Sequence, residues 1–248
     1  MMTMKNPLLS ILLASLSLTI QAGSQDPAAI IKAADQYRLT SDNMEIQSLI
    51  TTYLRDGSKE KERQYQVYAQ QNRQSLVVML SPAEKGQKVL MSGDDFWMIL
   101  PGSQRPMRIT PMQKLLGDAS IGDIATMSWA KDYEAQLIAE EKCADSPCLH
   151  LSLTANRKSA AYQKIELWVS KLKYQPLRAD LYVQSDKLAK QASFTVDKNH
   201  PETIDEMILQ DKLSSHKETR IRYLQRKNKT VPESWLNPMY LAKTGSLE

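Results

Sequence analysis

The chain has 248 residues, with 32 Lys+Arg against 28 Asp+Glu for a formal net charge of +4, eight glycines and two cysteines. This length suits one β-barrel or sandwich that buries roughly 70–75% of its unfolded surface, and so mild a charge excludes the basic stripe of a nucleic-acid-binding protein. The low glycine content, with no G-x-S-x-G elbow, P-loop or Gly-rich dinucleotide turn, excludes phosphate cradles and the commonest hydrolase signatures.

Residues 1–22 read as a signal peptide: Lys5 supplies a positive start, Leu8 to Ile20 an apolar core, and Ala22 precedes Gly23-Ser24. That core is shorter than the ~20 residues of a membrane span. No cysteine stands at the cut, so the exported product is expected to be soluble and periplasmic, without a lipid anchor of its own. Residues 23–248 are read as a single domain.

That domain opens on a helix, with Asp26 as cap, Pro27 in the first turn, and Ile30, Ala34 and Tyr37 on one stripe. The hydrophobic period then changes to two. Met44, Ile46, Ser48, Ile50, Thr52 and Leu54 form one row, and Asp56-Gly57 turns the chain toward Tyr65, Val67 and Ala69. Leu76 to Leu80 is a further strand ended by Pro82. Lys88 to Ser92 and Phe96 to Leu100 make a ribbon that is apolar on both faces, joined at Gly93-Asp94-Asp95. Each face must be covered or line something, and side-chain parity alone does not decide which.

An irregular stretch at about 111–131 follows, unusually rich in large apolar residues. Pro111 to Leu116 is expected to be a short helix stopped by Gly117, and a second helix is expected to start at Ser120 or Gly122-Asp123 and reach Trp129. Beyond it come strands at Tyr133 to Ala139, Leu149 to Leu153, Ile165 to Val169, Leu177 to Val183, Ala192 to Val196, Ile204 to Leu209 and Thr219 to Tyr223. Val231 to Leu236 is expected to form a helical turn at one edge. Ten to twelve short strands with tight connections predict a mainly β, α+β fold, an antiparallel meander with few helices to cover its greasy face.

Cys143 and Cys148 flank a four-residue turn, the spacing of a structural disulfide closing a hairpin in an oxidising compartment. His150, His200 and His216 are scattered and in no zinc-like spacing. No metal or cofactor is expected, and no catalytic constellation is present. Met79, Met91, Met98, Met107, Met112 and Met127 crowd the region from the third strand to the flap, where a flexible, polarizable side chain suits varied apolar shapes and ordinary core filling alike.

The run Pro82…Lys85-Gly86…Trp97…Pro101…Arg105…Arg108-Ile109…Leu116-Gly117-Asp118-Ala119-Ser120…Gly122-Asp123-Ile124-Ala125…Asp132-Tyr133 closely resembles the periplasmic outer-membrane lipoprotein-sorting proteins, the LolA/LolB-like family. The G-D-A-S-x-G-D-I-A block is the most specific part. The resemblance implies a curved antiparallel sheet forming an incomplete β-barrel with a helical lid, a hydrophobic cavity for acyl chains, and no enzymatic activity. Phe96, Trp97, Met98, Leu100, Met112, Leu115, Leu116, Ile124, Met127 and Trp129 are the cavity residues expected on that basis.

The family also implies an arginine that tethers the lid backbone to the sheet. Arg63, Arg73, Arg105 and Arg108 are candidates, and Arg108, beside the flap, is chosen. The partners implied are lipoprotein or lipid acyl chains, an inner-membrane transporter of the resistance-nodulation-division type and an outer-membrane acceptor, with the carrier acting as a monomer. A ligand-sensing or regulatory periplasmic module of the same fold is the alternative.

Overall fold

The computed structural model describes residues 25–126, 128–211, 213–245 and 247. The expected signal peptide and Met127 lie outside the described residues. Asp26 caps helix α1 (Pro27–Gln36), accepting from the Ala28 N–H at 3.0 Å, and the helix buries Ile30, Ile31 and Ala34. Period-two patterning then carries the chain into β1 (Met44–Leu54), β2 (Lys59–Gln70), β3 (Gln74–Met79), β4 (Lys88–Ser92), β5 (Asp95–Ile99) and β6 (Met107–Ile109). The second series is β9 (Tyr133–Cys143), β10 (Ser146–Ala155), β11 (Lys164–Ser170), β12 (Pro176–Tyr182), β13 (Leu188–Val196), β14 (Ile204–Gln210) and β15 (His216–Asn228). Between them lie β7 (Lys114–Leu116), β8 (Ala119–Ser120) and helix α2 (Ile121–Ala125).

Each series is an antiparallel meander, and β15 returns to pair with β1, with Met44 opposite Asn228 and Ile50 opposite Ile221. One 13-stranded sheet results, with β6 and β9 as its unjoined edges, so the barrel is incomplete. Its curl brings the two ends together. The Ser159 hydroxyl, between β10 and β11, donates to Asp94 in the β4–β5 turn at 2.7 Å. Phe96 of β5 and Leu149 of β10, far apart in strand order, belong to one buried core. The lid connects the two free edges, which places it across the concave face.

The C-terminal segment covers part of the other face. A 3-10 turn at Glu233–Leu236 and helix α3 (Pro238–Lys243), capped by Asn237, bury Leu241 with Leu76, Leu90 and Ile99 in a second core. Trp97 and Trp235 pack against it. This assigns the two faces of β5: Phe96 and Met98 point into the concave core, whereas Trp97 and Ile99 belong to the convex one.

Pro111 to Leu116 is not the expected helix. Pro111 and Met112 form a turn, residues 114–116 are strand, and the Gln113 and Pro111 carbonyls accept from the N–H groups of Ile121 and Gly122 at 3.0 and 2.8 Å. The backbone groups of this segment pair with β8 and with the first residues of α2 instead of with one another. The second expected helix does form, as α2, but ends at Ala125 rather than Trp129. Its start is held by the Asp123 carboxylate, which accepts from both the backbone N–H and the hydroxyl of Ser120 at 2.7 and 2.8 Å.

Cys143 and Cys148 are joined, with their Cα atoms 5.7 Å apart. Replacing both with serine is expected to cost about 2 kcal/mol, the loop-closure value for so short a ring. Urea denaturation of the double variant checks this, and a loss under about 0.5 kcal/mol would show that the hairpin holds its own geometry.

Candidate functional site

The site lies between the lid and the concave sheet. The lid's β7–β8 hairpin forms its own two-stranded sheet and makes no strand pairing with the large one. Side chains fasten it instead. At its near end the Gly117 turn sits against Thr52 of β1 and Thr219 of β15, and the Thr219 hydroxyl accepts from the Asp118 N–H at 2.9 Å. Lys190 of β13 reaches up from the sheet and donates to the Asp118 carbonyl at 2.6 Å and to Asp123 Oδ2 at 2.8 Å. The same carboxylate accepts from the Ser120 N–H and hydroxyl and, through Oδ1, from the Tyr162 hydroxyl at 2.7 Å. Burial works against the Asp123 charge, but Lys190 and these donors outweigh it and hold the carboxyl below its ordinary range.

At the far end α1 takes hold. Asp35, in its last turn, accepts from the Ser128 hydroxyl at 2.7 Å and from the N–H groups of Trp129 and Ala130, both at 2.8 Å. Burial pushes the Asp35 carboxyl up, against the pull of Arg38 and these donors. Arg38, just past the helix, donates from Nη2 to the Thr126 carbonyl at 3.2 Å and lies 4.4 Å over the Trp129 ring. Arg108, the expected tether, lies elsewhere. It pairs with Asp95 at 2.8 Å on the convex side, stacks on Trp97, and is largely exposed. Arg38 and Lys190 make the contacts to the lid backbone that Arg108 was expected to make.

Beneath the lid the interior is nearly filled. The cavity measures about 40 Å³ and is walled by Ile165, Leu181, Ala192, Phe194 and Met207 of the second strand series, by Tyr162, and by Arg38, Thr126 and Trp129 above. Of the residues expected to line it, Trp129 borders this space. Phe96 and Ile124 are buried in the adjoining core, and Met98, Met112, Leu115 and Leu116 pack against it. Trp97 faces away, and Leu100, half-buried, follows β5. A groove of about 510 Å³ opens at the seam between β5–β6, the start of the lid and the β10–β11 loop, and shares Ala161 with the cavity wall.

Sequence reading missed the second-series wall and the two fastening cations. One signal was available for Lys190: it stands directly opposite Leu181 and in the same row as Ala192 and Phe194, a charge on an otherwise apolar face. Arg38 carried no such mark, since its partners lie 88 and more residues away. Among the described residues, no group of three or more His, Cys, Asp or Glu side chains is placed to hold a metal ion.

The Asp123 shift makes the near fastening acid-sensitive. A carboxyl held below its ordinary value stabilises the folded state at and above pH ~4, and that contribution disappears as pH falls through the depressed value. Pepsin is therefore expected to cut within residues 113–126 at pH about 3 before it cuts the sheet. Cleavage that begins in the strands would contradict this order.

A family model whose description reads "Uncharacterized protein" matches residues 71–243. No curated protein matches the sequence. Among solved structures, a LolA superfamily protein from Nitrosomonas europaea is 29% identical with a TM-score of 0.78, covering 85% of this chain and 97% of its own. A DUF1329 family protein from Desulfovibrio piger is 22% identical at TM-score 0.69, over 86% of this chain and 98% of its own. A domain assigned to outer membrane lipoprotein sorting from Vibrio parahaemolyticus is 17% identical, also at 0.69, over 87% of this chain and 98% of its own. The sheet order, the lid across the concave face and these matches agree: the chain belongs to the family whose model spans residues 71–243, and it is LolA/LolB-like in sequence and fold.

Proposed function

We propose that the chain is a periplasmic carrier that holds acyl chains of a lipoprotein or lipid between its lid and its sheet and delivers them toward the outer membrane. The observation that supports this best is the manner of fastening: a lid over an apolar wall, held by side-chain hydrogen bonds rather than by strand pairing to the main sheet. A cavity of about 40 Å³ is far below the ~300–1,000 Å³ of ligand pockets. Loading therefore requires the lid to lift. Each buried CH₂ contributes about 0.8 kcal/mol, so one long acyl chain supplies on the order of 10 kcal/mol toward breaking a handful of such bonds.

On this reading the seam groove is where a chain first meets apolar surface, because it adjoins the cavity at Ala161. The inner-membrane transporter of the resistance-nodulation-division type and the outer-membrane acceptor rest on the sequence resemblance, as does action as a monomer. Export rests on residues 1–22. Among the described residues no helix is long and apolar enough to cross a membrane.

Protein purified gently from a periplasm is expected to carry extractable acyl lipid in native mass spectrometry. Leu116→Asp and Trp129→Asp are expected to reduce that occupancy at least tenfold while the sheet's circular dichroism persists. Bare polypeptide at every concentration of added lipid or lipopeptide would count decisively against carriage.

A further inference from the structure

Arg38 is only 5% exposed and borders the cavity, yet Nε and Nη1 have no hydrogen-bond partner among the described residues. One nitrogen, Nη2, serves the lid, and the face of the group rests on Trp129. A guanidinium cannot shed its charge, and buried donors without acceptors are costly, so native proteins rarely leave them so. The nearby carboxylates are already engaged. Asp35 accepts from Ser128, Trp129 and Ala130 and acts on Arg38 through its charge alone, with no hydrogen bond between them, and Asp123 is filled by Lys190, Ser120 and Tyr162. The Tyr133 hydroxyl donates to the Tyr162 carbonyl. The remaining wall is hydrocarbon, from Ile165, Leu181 and Phe194.

We propose that Arg38 binds the anionic head of the acyl ligand, a carboxylate or phosphate, through its free Nε and Nη1 donors, while the tail runs along the apolar wall. The inference rests on the carrier reading and sharpens it, because it selects charged amphiphiles over neutral ones of equal chain length. A charge-assisted bond to a desolvated guanidinium gains far more than one in water, and bringing in the anion removes the cost of the unpaired donors. Fastening the lid and binding the head then become linked. The lid's Thr126 carbonyl is held by Nη2, so an anion on Nε and Nη1 leaves that nitrogen available when the lid settles back over the loaded chain.

The test is competition for a bound fluorescent fatty-acid probe by palmitate, hexadecyl phosphate and 1-hexadecanol, with the mature protein and with Arg38→Met. Palmitate, hexadecyl phosphate or both are expected to bind at least tenfold more tightly than hexadecanol, and Arg38→Met is expected to bring both anions to within threefold of hexadecanol, beyond any change common to all three that loosening the lid produces. Which anion wins tells carboxylate from phosphate. Equal binding of all three to the unaltered protein would overturn the inference and leave carriage standing. So would a preference that survives Arg38→Met, or a variant that weakens all three alike, the result expected of a residue that only holds the lid. Binding of none of them would overturn the carrier reading itself. If Arg38→Met does not fold, Arg38→Lys, which keeps the charge on a single donor nitrogen, is expected to retain part of the preference; a preference as large as in the unaltered protein would overturn the inference.

Discussion

Replacing Lys190 by methionine is expected to cost about 3–5 kcal/mol, the usual loss when one member of a buried ion pair is removed and its partner keeps its charge. Both side chains are almost wholly buried, at 5% and 2% exposure, so water does not screen the pair. The Asp118 carbonyl would lose its Lys190 donor at the same time. Asp123→Asn combined with Lys190→Met is expected to recover more than half of the loss, because the stranded charge is then gone. Urea denaturation of the four proteins in this cycle measures the coupling. A single-variant loss below about 1 kcal/mol, or no recovery in the double variant, would show that the bridge does not hold the lid. The structure also orders the damage: the lid should become protease-sensitive before the sheet melts, since the strands pair without it.

The second large effect is expected at Gly117, where alanine should cost about 2–5 kcal/mol. Two causes add. The residue has φ +57°, a left-handed conformation that costs an L side chain ~1–2 kcal/mol. A Cβ there would also lie 2.4 Å from Thr52 Cγ2 and 2.5 Å from Thr219 Oγ1, and overpacking of that kind costs about 1–3 kcal/mol. Neither threonine can retreat, since they face each other on paired central strands and are fully buried. Thr52→Ser, which removes the offending methyl, is expected to rescue Gly117→Ala in part. Gly93→Ala is the control: it shares the positive φ but has nothing within 4 Å, so only the backbone term applies. Equal losses at the two glycines would show that the turn is not seated against the sheet.

Strand content and the antiparallel meander follow from local pattern, whereas its unclosed curl was implied by the LolA/LolB-like resemblance. Met44, Ile46, Ser48, Ile50 and Thr52 alternate in the sequence and are the buried row of β1. The disulfide follows from two cysteines at a hairpin turn, and α1 and the start of α2 from Asp26-Pro27 and the Ser120–Asp123 pair. These are interactions between residues a few positions apart, which is why a linear reading reaches them. The same reading went wrong at Pro111 to Leu116, where a proline start and apolar spacing mimic a helix but β8, three to six residues on, and the first residues of α2 supply the hydrogen bonds.

The sequence by itself determined the elements, their alternating faces, the cross-link and the LolA-like pattern of the central block. It left open which face of β5 looks inward, and that was decided by α3 and the 3-10 turn before it, which come over 130 residues later and bury Ile99. Only the tertiary structure put Arg38, Asp35 and Lys190 around the lid, because the curl of a 13-stranded sheet, not chain proximity, brings α1, β13 and residues 118–130 together. Side-chain period records which residues must leave water; it carries no record of which distant charge each will meet once they have.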